Sequence, residues 1–178
     1  MGTIANDLNE IVVTVTSPDG RVQGRAESLQ YLTLRFLHDS YEGYYRHRDA
    51  AVLAHQLGRA ATLMSTAYQK ARREVMSAHD FERSSVLQPP FHSRHREYNE
   101  RGLKITAQGG SPDGEIRVTT TGLLDFDVRI RHDVLDRLGE RPFLQLADQA
   151  VHHLRADYQR VHTELRRELY LKYQGRER

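Results

Sequence analysis

The sequence predicts an α+β protein built from two tandem β-β-β-α units, each an antiparallel meander followed by a long helix. Three observations carry the prediction. The turn Ser17-Pro18-Asp19-Gly20 returns as Ser111-Pro112-Asp113-Gly114. The echo keeps its register: Leu34-Arg35-Phe36-Leu37-His38-Asp39 is answered by Val128-Arg129-Ile130-Arg131-His132-Asp133, and Arg72-Arg73-Glu74-Val75 by Arg166-Arg167-Glu168-Leu169. Leu53-Ala54-His55-Gln56 matches Leu146-Ala147-Asp148-Gln149 with a slip of one residue. Within each copy, alternating apolar positions give way to apolar positions three or four apart, the change of period that separates strands from a helix. The division that follows is a first unit over 1–78, a linker over 79–101 and a second unit over 102–178.

Residues 1–10 form a frayed lead-in. Ile11, Val13 and Val15 then alternate with Val12, Thr14 and Thr16, which predicts a strand. Ser17-Pro18-Asp19-Gly20 is a turn, with proline presetting an early turn position and glycine accepting positive φ. Val22, Gly24 and Ala26 give a second strand with a small-residue inner face, Glu27-Ser28 turns the chain, and Leu32, Leu34 and Phe36 give a third strand. Residues 40–49 read as an irregular link rich in tyrosine and arginine. A helix starts from Asp49 as N-cap. Its apolar stripe is Leu53, Leu57, Ala60, Ala61, Met64, Ala67, Tyr68, Ala71 and Val75, with His55, Arg59, Thr62, Lys70 and Arg73 on the outer face. Pro89-Pro90 stops any helix in the linker, and the charged run 92–101 is long enough for a short helix. The second copy repeats the order. Leu103, Ile105 and Ala107 alternate, then Ile116, Val118 and Thr120, then Phe126, Val128 and Ile130. A final helix carries Ala147, Ala150, Val151, Leu154, Tyr158, Val161, Leu165 and Leu169 to about Tyr173. Exposed strand edges in both meanders call for cover, which edge-to-edge pairing of the two copies about a pseudo-twofold axis would supply.

At 178 residues the chain holds one ordinary domain or two small ones, and units of this size gain by packing together. Hydrophobic content of 38% and charged content of 28% suit a polar-surfaced protein, and no apolar run nears the roughly 20 residues of a membrane span. The N-terminus has neither the basic region nor the apolar core of a signal peptide. There is no cysteine, hence no disulfide, thiolate nucleophile or Cys-based zinc site, in keeping with the cytoplasm. The net charge of +2 is unevenly spread: 41–78 and 159–178 each carry +3, whereas 1–40 carries −2 and 105–158 carries −3. Positive charge gathers towards the end of each copy, a distribution that matters for an anionic partner.

The pattern resembles the YbaB/EbfC family of bacterial nucleoid-associated proteins. The residues that carry the resemblance are the turn and strand Ser111-Pro112-Asp113-Gly114-Glu115-Ile116-Arg117-Val118, the glycine turn at Gly122, the strand Phe126-Asp127-Val128-Arg129-Ile130, the loop Asp133 and the alanine-rich helix from Leu146-Ala147. The actinobacterial branch favours a Ser-x-Asp-Gly turn, and this chain has it twice. The likeness covers roughly 11–77 and 103–170. It implies a non-enzymatic protein that binds duplex DNA with little sequence specificity, in the nucleoid, without a cofactor. Members are usually single units in tweezer-shaped homodimers that touch DNA through helices at their ends. Two units in one chain would then make a covalent pseudo-dimer, able to dimerise further, and the long helix that normally precedes the first strand has no counterpart here. Relatives linked to mycobacterial type VII secretion use a similar fold as a protein–protein adaptor, the alternative expectation for this chain.

The candidate DNA-binding residues are the basic helix ends: Lys70, Arg72 and Arg73 on the first helix, and Arg160, Arg166, Arg167 and Lys172 on the second, with Arg176 and Arg178 beyond. Any one of them is also explained by the helix dipole, worth about 0.3–1 kcal/mol. Their duplication favours phosphate contacts, sequence-tolerant and salt-dependent. Arg94, Arg96 and Arg101 would add to them, though a solvated linker explains these three better. Tyr41, Tyr44 and Tyr45, interleaved with Arg46 and Arg48, have the composition of a stacking surface, but packing of the link onto the sheet is the preferred reading. The ten histidines include no His-Glu-x-x-His and no convergent carboxylates, so no metal site is expected. Neither a phosphate loop nor a nucleophile elbow nor a Ser-His-Asp set appears. The repeated His38-Asp39 and His132-Asp133 pairs are sequence neighbours on opposite faces, so no catalytic residue is assigned.

Overall fold

A computed structural model of the chain describes residues 4–27, 31–79 and 93–174. Ser28, the Pro89-Pro90 stop, Arg176 and Arg178 lie outside the described residues. The elements are α1 (Ile4–Asn9), β1 (Val12–Thr16), β2 (Val22–Glu27), β3 (Tyr31–Phe36), α2 (Ser40–His47), α3 (Ala50–Ala78), α4 (Ser93–Gly102), β4 (Thr106–Gly110), β5 (Ile116–Thr121), β6 (Asp125–Ile130), α5 (Val134–Arg137) and α6 (Glu140–Tyr173). The fold is α+β, with two antiparallel three-stranded sheets ordered β1-β2-β3 and β4-β5-β6. The lead-in is a helix rather than frayed chain, the supposed irregular link is α2, and Leu103 is an exposed residue past the end of α4 rather than part of a strand.

The repeated turn does the same local work in both copies. The Ser17 amide donates to the Val22 carbonyl at 2.8 Å, and the Val22 amide donates back to Ser17 Oγ at 2.9 Å. Ser111 and Ile116 repeat both bonds, at 2.9 and 3.0 Å. Gly20 and Gly114 close the turns at φ 73° and 67°, where a side chain is strained. Both serines are buried, so each hydroxyl satisfies an amide that the chain reversal would otherwise leave unpaired.

Among the described residues the two sheets do not pair edge to edge. Each unit's long helix covers its own sheet and reaches the last strand of the other: α3 lies on β1, β2 and β6, and α6 on β4 and β5 with a brief contact to β3. Two glycines permit this closeness. A Cβ on Gly58 of α3 would stand 2.8 Å from the Phe126 carbonyl oxygen of β6, and one on Gly109 of β4 would stand 2.2 Å from the Ala150 carbonyl oxygen of α6.

One core therefore spans both units, joining Val22, Phe36, Leu53 and Leu57 to Ile116, Val118, Phe143 and Leu154. Phe36 meets Tyr41 and Phe143 edge-on, at centroid distances of 4.9 and 6.0 Å, and the Tyr41 hydroxyl donates to the Leu138 carbonyl of the second unit at 2.6 Å. Burial pushes the Tyr41 phenol up to about 12. Arg48 and Asp136 pair across the same junction at 3.1 Å, and Ser65 Oγ on α3 donates to the Leu123 carbonyl in the β5–β6 turn. Beyond the shared core each unit keeps a smaller cluster of its own. Ile11, Val13, Ala26, Met64 and Tyr68 form one, and Ile105, Leu165 and Leu169 the other. Among the described residues no helix is long and apolar enough to cross a membrane.

Candidate nucleic-acid interface

The two long helices run past the shared core, so their C-terminal halves project the candidate cations around the smaller clusters. At about 1.5 Å per residue, α3 with its 29 residues is roughly 43 Å long and α6 with its 34 roughly 51 Å. On α3, apolar Met64, Tyr68, Ala71 and Val75 face the first unit's small cluster, which turns Lys70, Arg72 and Arg73 to solvent. On α6, Leu165 and Leu169 are buried and Arg166 and Arg167 are exposed.

These cations differ in how far they are already engaged. Lys70 stands 3.9 Å from Glu74, a loose and exposed pair. The Arg73 Nε donates to the Gln69 carbonyl within its own helix at 3.3 Å. Arg72 has its charge near Tyr68, whose phenol is raised by burial against that influence. Arg160 is clamped between Asp157 at 2.7 Å and Glu164 at 2.9 Å. Lys172 is held by Glu97 of α4 at 2.6 Å, and Tyr173 donates to the same carboxylate at 2.8 Å. The hydrogen bonds from Lys172 and Tyr173 hold the Glu97 carboxyl below its usual range, and Glu97 raises Lys172 in return. Arg166 lies over the Tyr98 ring at 5.8 Å. Arg72, Arg73, Arg166 and Arg167 make no ion pair among the described residues, and they occupy matching positions in the two copies. Arg176 is outside the described residues.

Sequence reasoning missed the tip that α4 builds against α6. Arg101, expected to be solvated, makes a two-pronged bond to Glu168 at 2.7 Å on each arm and reaches Glu97 at 3.4 Å. Tyr98 hydrogen-bonds His162 Nε2, and Tyr158 stacks on the His162 ring at 5.8 Å. Burial, with help from Arg166, lowers the His162 pKa, which favours the neutral ring between its two tyrosines. The one available signal was the spacing of Glu97 and Arg101 on a short helical run. Their partners lie 67 and 75 residues further on, at Glu168 and Lys172. The first unit has a smaller version of this cap, in which His79 at the end of α3 bonds Asp7 of α1 at 2.6 Å.

Tyr41 and Tyr44 are buried in the shared core, which removes them from any stacking surface and bears out packing as their role, whereas Tyr45 is exposed on the outer side of α2, against the packing expected of it. The Tyr44 hydroxyl bonds the Asp19 carboxylate, and Arg21 lies over the Tyr44 ring at 5.4 Å. Burial raises the Asp19 carboxyl, but the bonds from Ser17 and Tyr44 outweigh it and leave its pKa lowered. Comparison of the chain with models of known families, with curated proteins and with solved structures finds no match.

Proposed function

We propose that this protein is a non-enzymatic DNA-binding protein, acting as a covalent pseudo-dimer of YbaB/EbfC-like units in the nucleoid. It grips duplex phosphates through the exposed C-terminal turns of α3 and α6. The observation that carries the reading is the repeated pair Arg72-Arg73 and Arg166-Arg167, exposed in both copies and free of ion pairs among the described residues. An arginine at a surface without a carboxylate partner keeps its charge and terminal N–H groups for phosphate contact. Arg160 and Lys172 are committed to carboxylates and contribute to the local field rather than to direct contact. The α4–α6 tip is the stronger end: eight cations against five acids stand on α4, at Lys104 and on residues 157–173 of α6, whereas Lys70, Arg72 and Arg73 on α3 are matched by Asp7, Glu10 and Glu74.

The test is a gel-shift and anisotropy comparison of the intact protein with Arg166→Glu/Arg167→Glu and Arg72→Glu/Arg73→Glu. Both double variants weaken binding to every duplex sequence, the α6 pair more than the α3 pair. Unchanged affinity at moderate salt in both would remove these residues from the interface. Absence of binding by the folded wild-type protein at low salt would favour the protein–protein adaptor instead.

A further inference from the structure

The second unit closes a sheet edge that the first leaves open. The bond from the Ser111 amide to the Ile116 carbonyl sets the alternation of the ladder, so β4 turns the backbone groups of Ala107 and Gly109 towards β5 and those of Gln108 and Gly110 outwards. Side chains of α6 plug both outward residues. The Gln108 amide donates to Asp157 Oδ2 at 3.0 Å, and His153 Nδ1 donates to the Gly110 carbonyl at 2.6 Å. The Gln108 amide, ahead of Arg160, holds the Asp157 carboxyl below its usual range. α6 comes this close because Gly109 has no side chain to hold it off. By the same alternation β1 turns the amides and carbonyls of Val12, Thr14 and Thr16 outwards. In the register of the two turns, Val15 stands for Gly109, Leu63 for Asp157 and Arg59 for His153. A valine keeps α3 from resting on the strand, and a leucine cannot accept an amide proton. α3 instead presses Gly58 against β6. Among the described residues Val12, Thr14 and Thr16 make no hydrogen bond beyond those to β2. Val12 and Leu63 stand exposed at 47% and 41%.

We propose that β1 is a docking edge for a second chain of this protein, the two β1 strands pairing antiparallel about a twofold axis at Thr14 and joining their sheets into one. An edge strand with unpaired backbone groups is a template for another strand unless a charge, a proline or a bulge blunts it. The sequence Val12–Thr16 has no charge and no proline, and every residue in it is β-branched. Two features select the same chain as the occupant. Across the axis Thr14 meets Thr14 and Val12 meets Thr16, which are favourable cross-strand pairs with no like charges opposed. The same arrangement sets the Thr16 end of each edge, beside Arg59, against the Val12 end of the other, which Glu10 precedes. Arg59 and Glu10 are both exposed, and neither has an ion-pair partner among the described residues. A twofold contact is self-complementary, so this charge match occurs twice. A strand pair with such a rim is at the small end of specific interfaces, below about 1,200 Å², and the association is therefore reversible and concentration-dependent. The edge uses none of the paired arginines, so it is tested without DNA.

The experiment is analytical ultracentrifugation of the full-length protein, free of nucleic acid, from micromolar to submillimolar concentration. A monomer–dimer equilibrium is the expected result, with hydrogen exchange at the Val12, Thr14 and Thr16 amides slowing as the dimer forms. Thr14→Pro removes an amide that points away from β2, which an edge strand tolerates. It weakens association at least about tenfold, the scale of the hydrogen bonds lost in both chains. Leu63→Asp, at an exposed helix position, restores the plug of the second unit and weakens the dimer without touching the strand. Thr14→Lys and Thr14→Glu each associate less than wild type, and mixing them restores a dimer, because the axis sets the two charges against each other. Circular dichroism confirms that each variant keeps the wild-type fold. The proposal is overturned by any of three results: a wild-type monomer at every concentration, a dimer unchanged by both Thr14→Pro and Leu63→Asp, or a mixture of the Lys and Glu variants that associates no better than either alone.

Discussion

Replacing Gly109 by alanine tests the way the helices lie on the sheets. The added Cβ would sit 2.2 Å from the Ala150 carbonyl oxygen, 2.3 Å from the Leu154 amide nitrogen and 2.7 Å from the Leu154 Cα. Ordinary contact begins at 3.4 Å, so α6 must retreat by about 1 Å at this crossing. The obstructing atoms are backbone, and no rotamer change relieves them. Overpacking of a core costs about 1–3 kcal/mol when side chains give way. Here a 34-residue helix has to move as a body, and with it Ala150 and Leu154 of the shared core. A loss of at least about 3 kcal/mol follows, or roughly 6–12 °C in melting temperature for a chain of this size. Gly24 is the internal control. It lies on the same rung of the first sheet but on the central strand β2, paired with Val15, which stands where Gly109 stands in the second sheet. Its added Cβ meets side chains alone, the Met64 thioether at 3.3 Å and Leu34 Cδ2 at 3.6 Å. Met64 is flexible, and alanine is favoured over glycine in a strand by about 0.5–1 kcal/mol. Gly24→Ala therefore stays within about 1 kcal/mol of wild type. Denaturant unfolding followed by circular dichroism measures both. Gly109→Ala with a midpoint close to that of Gly24→Ala would refute the close crossing of α6 over β4.

Three further outcomes follow from the same packing. Ser17→Ala and Ser111→Ala each strip a buried amide of its acceptor, at Val22 and Ile116, and each costs about 1–3 kcal/mol in urea unfolding; loss in only one of the two would show that the turns are not equivalent. At high pH, Tyr41 is held protonated by burial up to about 12, against an unfolded value near 10, so its contribution is complete below pH 10 and is lost as pH rises towards 12; absorbance at 295 nm shows its ionisation coinciding with unfolding. At low pH, the bonds from Arg131 depress the Asp133 carboxyl to about 2, so its contribution is present above pH 4 and is lost as pH falls towards 2; Asp133→Asn flattens that part of the acid stability profile if Arg131 is the cause.

Much of the fold was legible because its signals are local. Alternation over Val22–Glu27, the stripe from Leu53 to Val75 and the two Ser-Pro-Asp-Gly turns each depend on residues close in sequence. The joining of the units was not legible, since it rests on single residues whose meaning is spatial. Gly58 and Gly109 look like any glycine until a strand or helix backbone lies against them. Tyr41 and Tyr44 occupy one short turn of helix, too brief a period to separate from a loop, and their burial depends on Phe36 and Phe143. In the candidate interface the repeated arginine pairs were visible as sequence, but the division between engaged and available cations was not. Lys172 is paired by a glutamate 75 residues away, on a helix whose place against α6 no periodicity records.

The salt dependence of binding to a random-sequence duplex tests the central claim most directly. Each phosphate neutralised contributes about −0.9 to the slope of log affinity against log salt concentration. Engagement of Arg72, Arg73, Arg166 and Arg167 predicts a slope of about −3 to −4, reduced by nearly 2 when either pair is reversed. A folded wild-type protein that does not bind at low salt, or binds with a slope near zero, would contradict it.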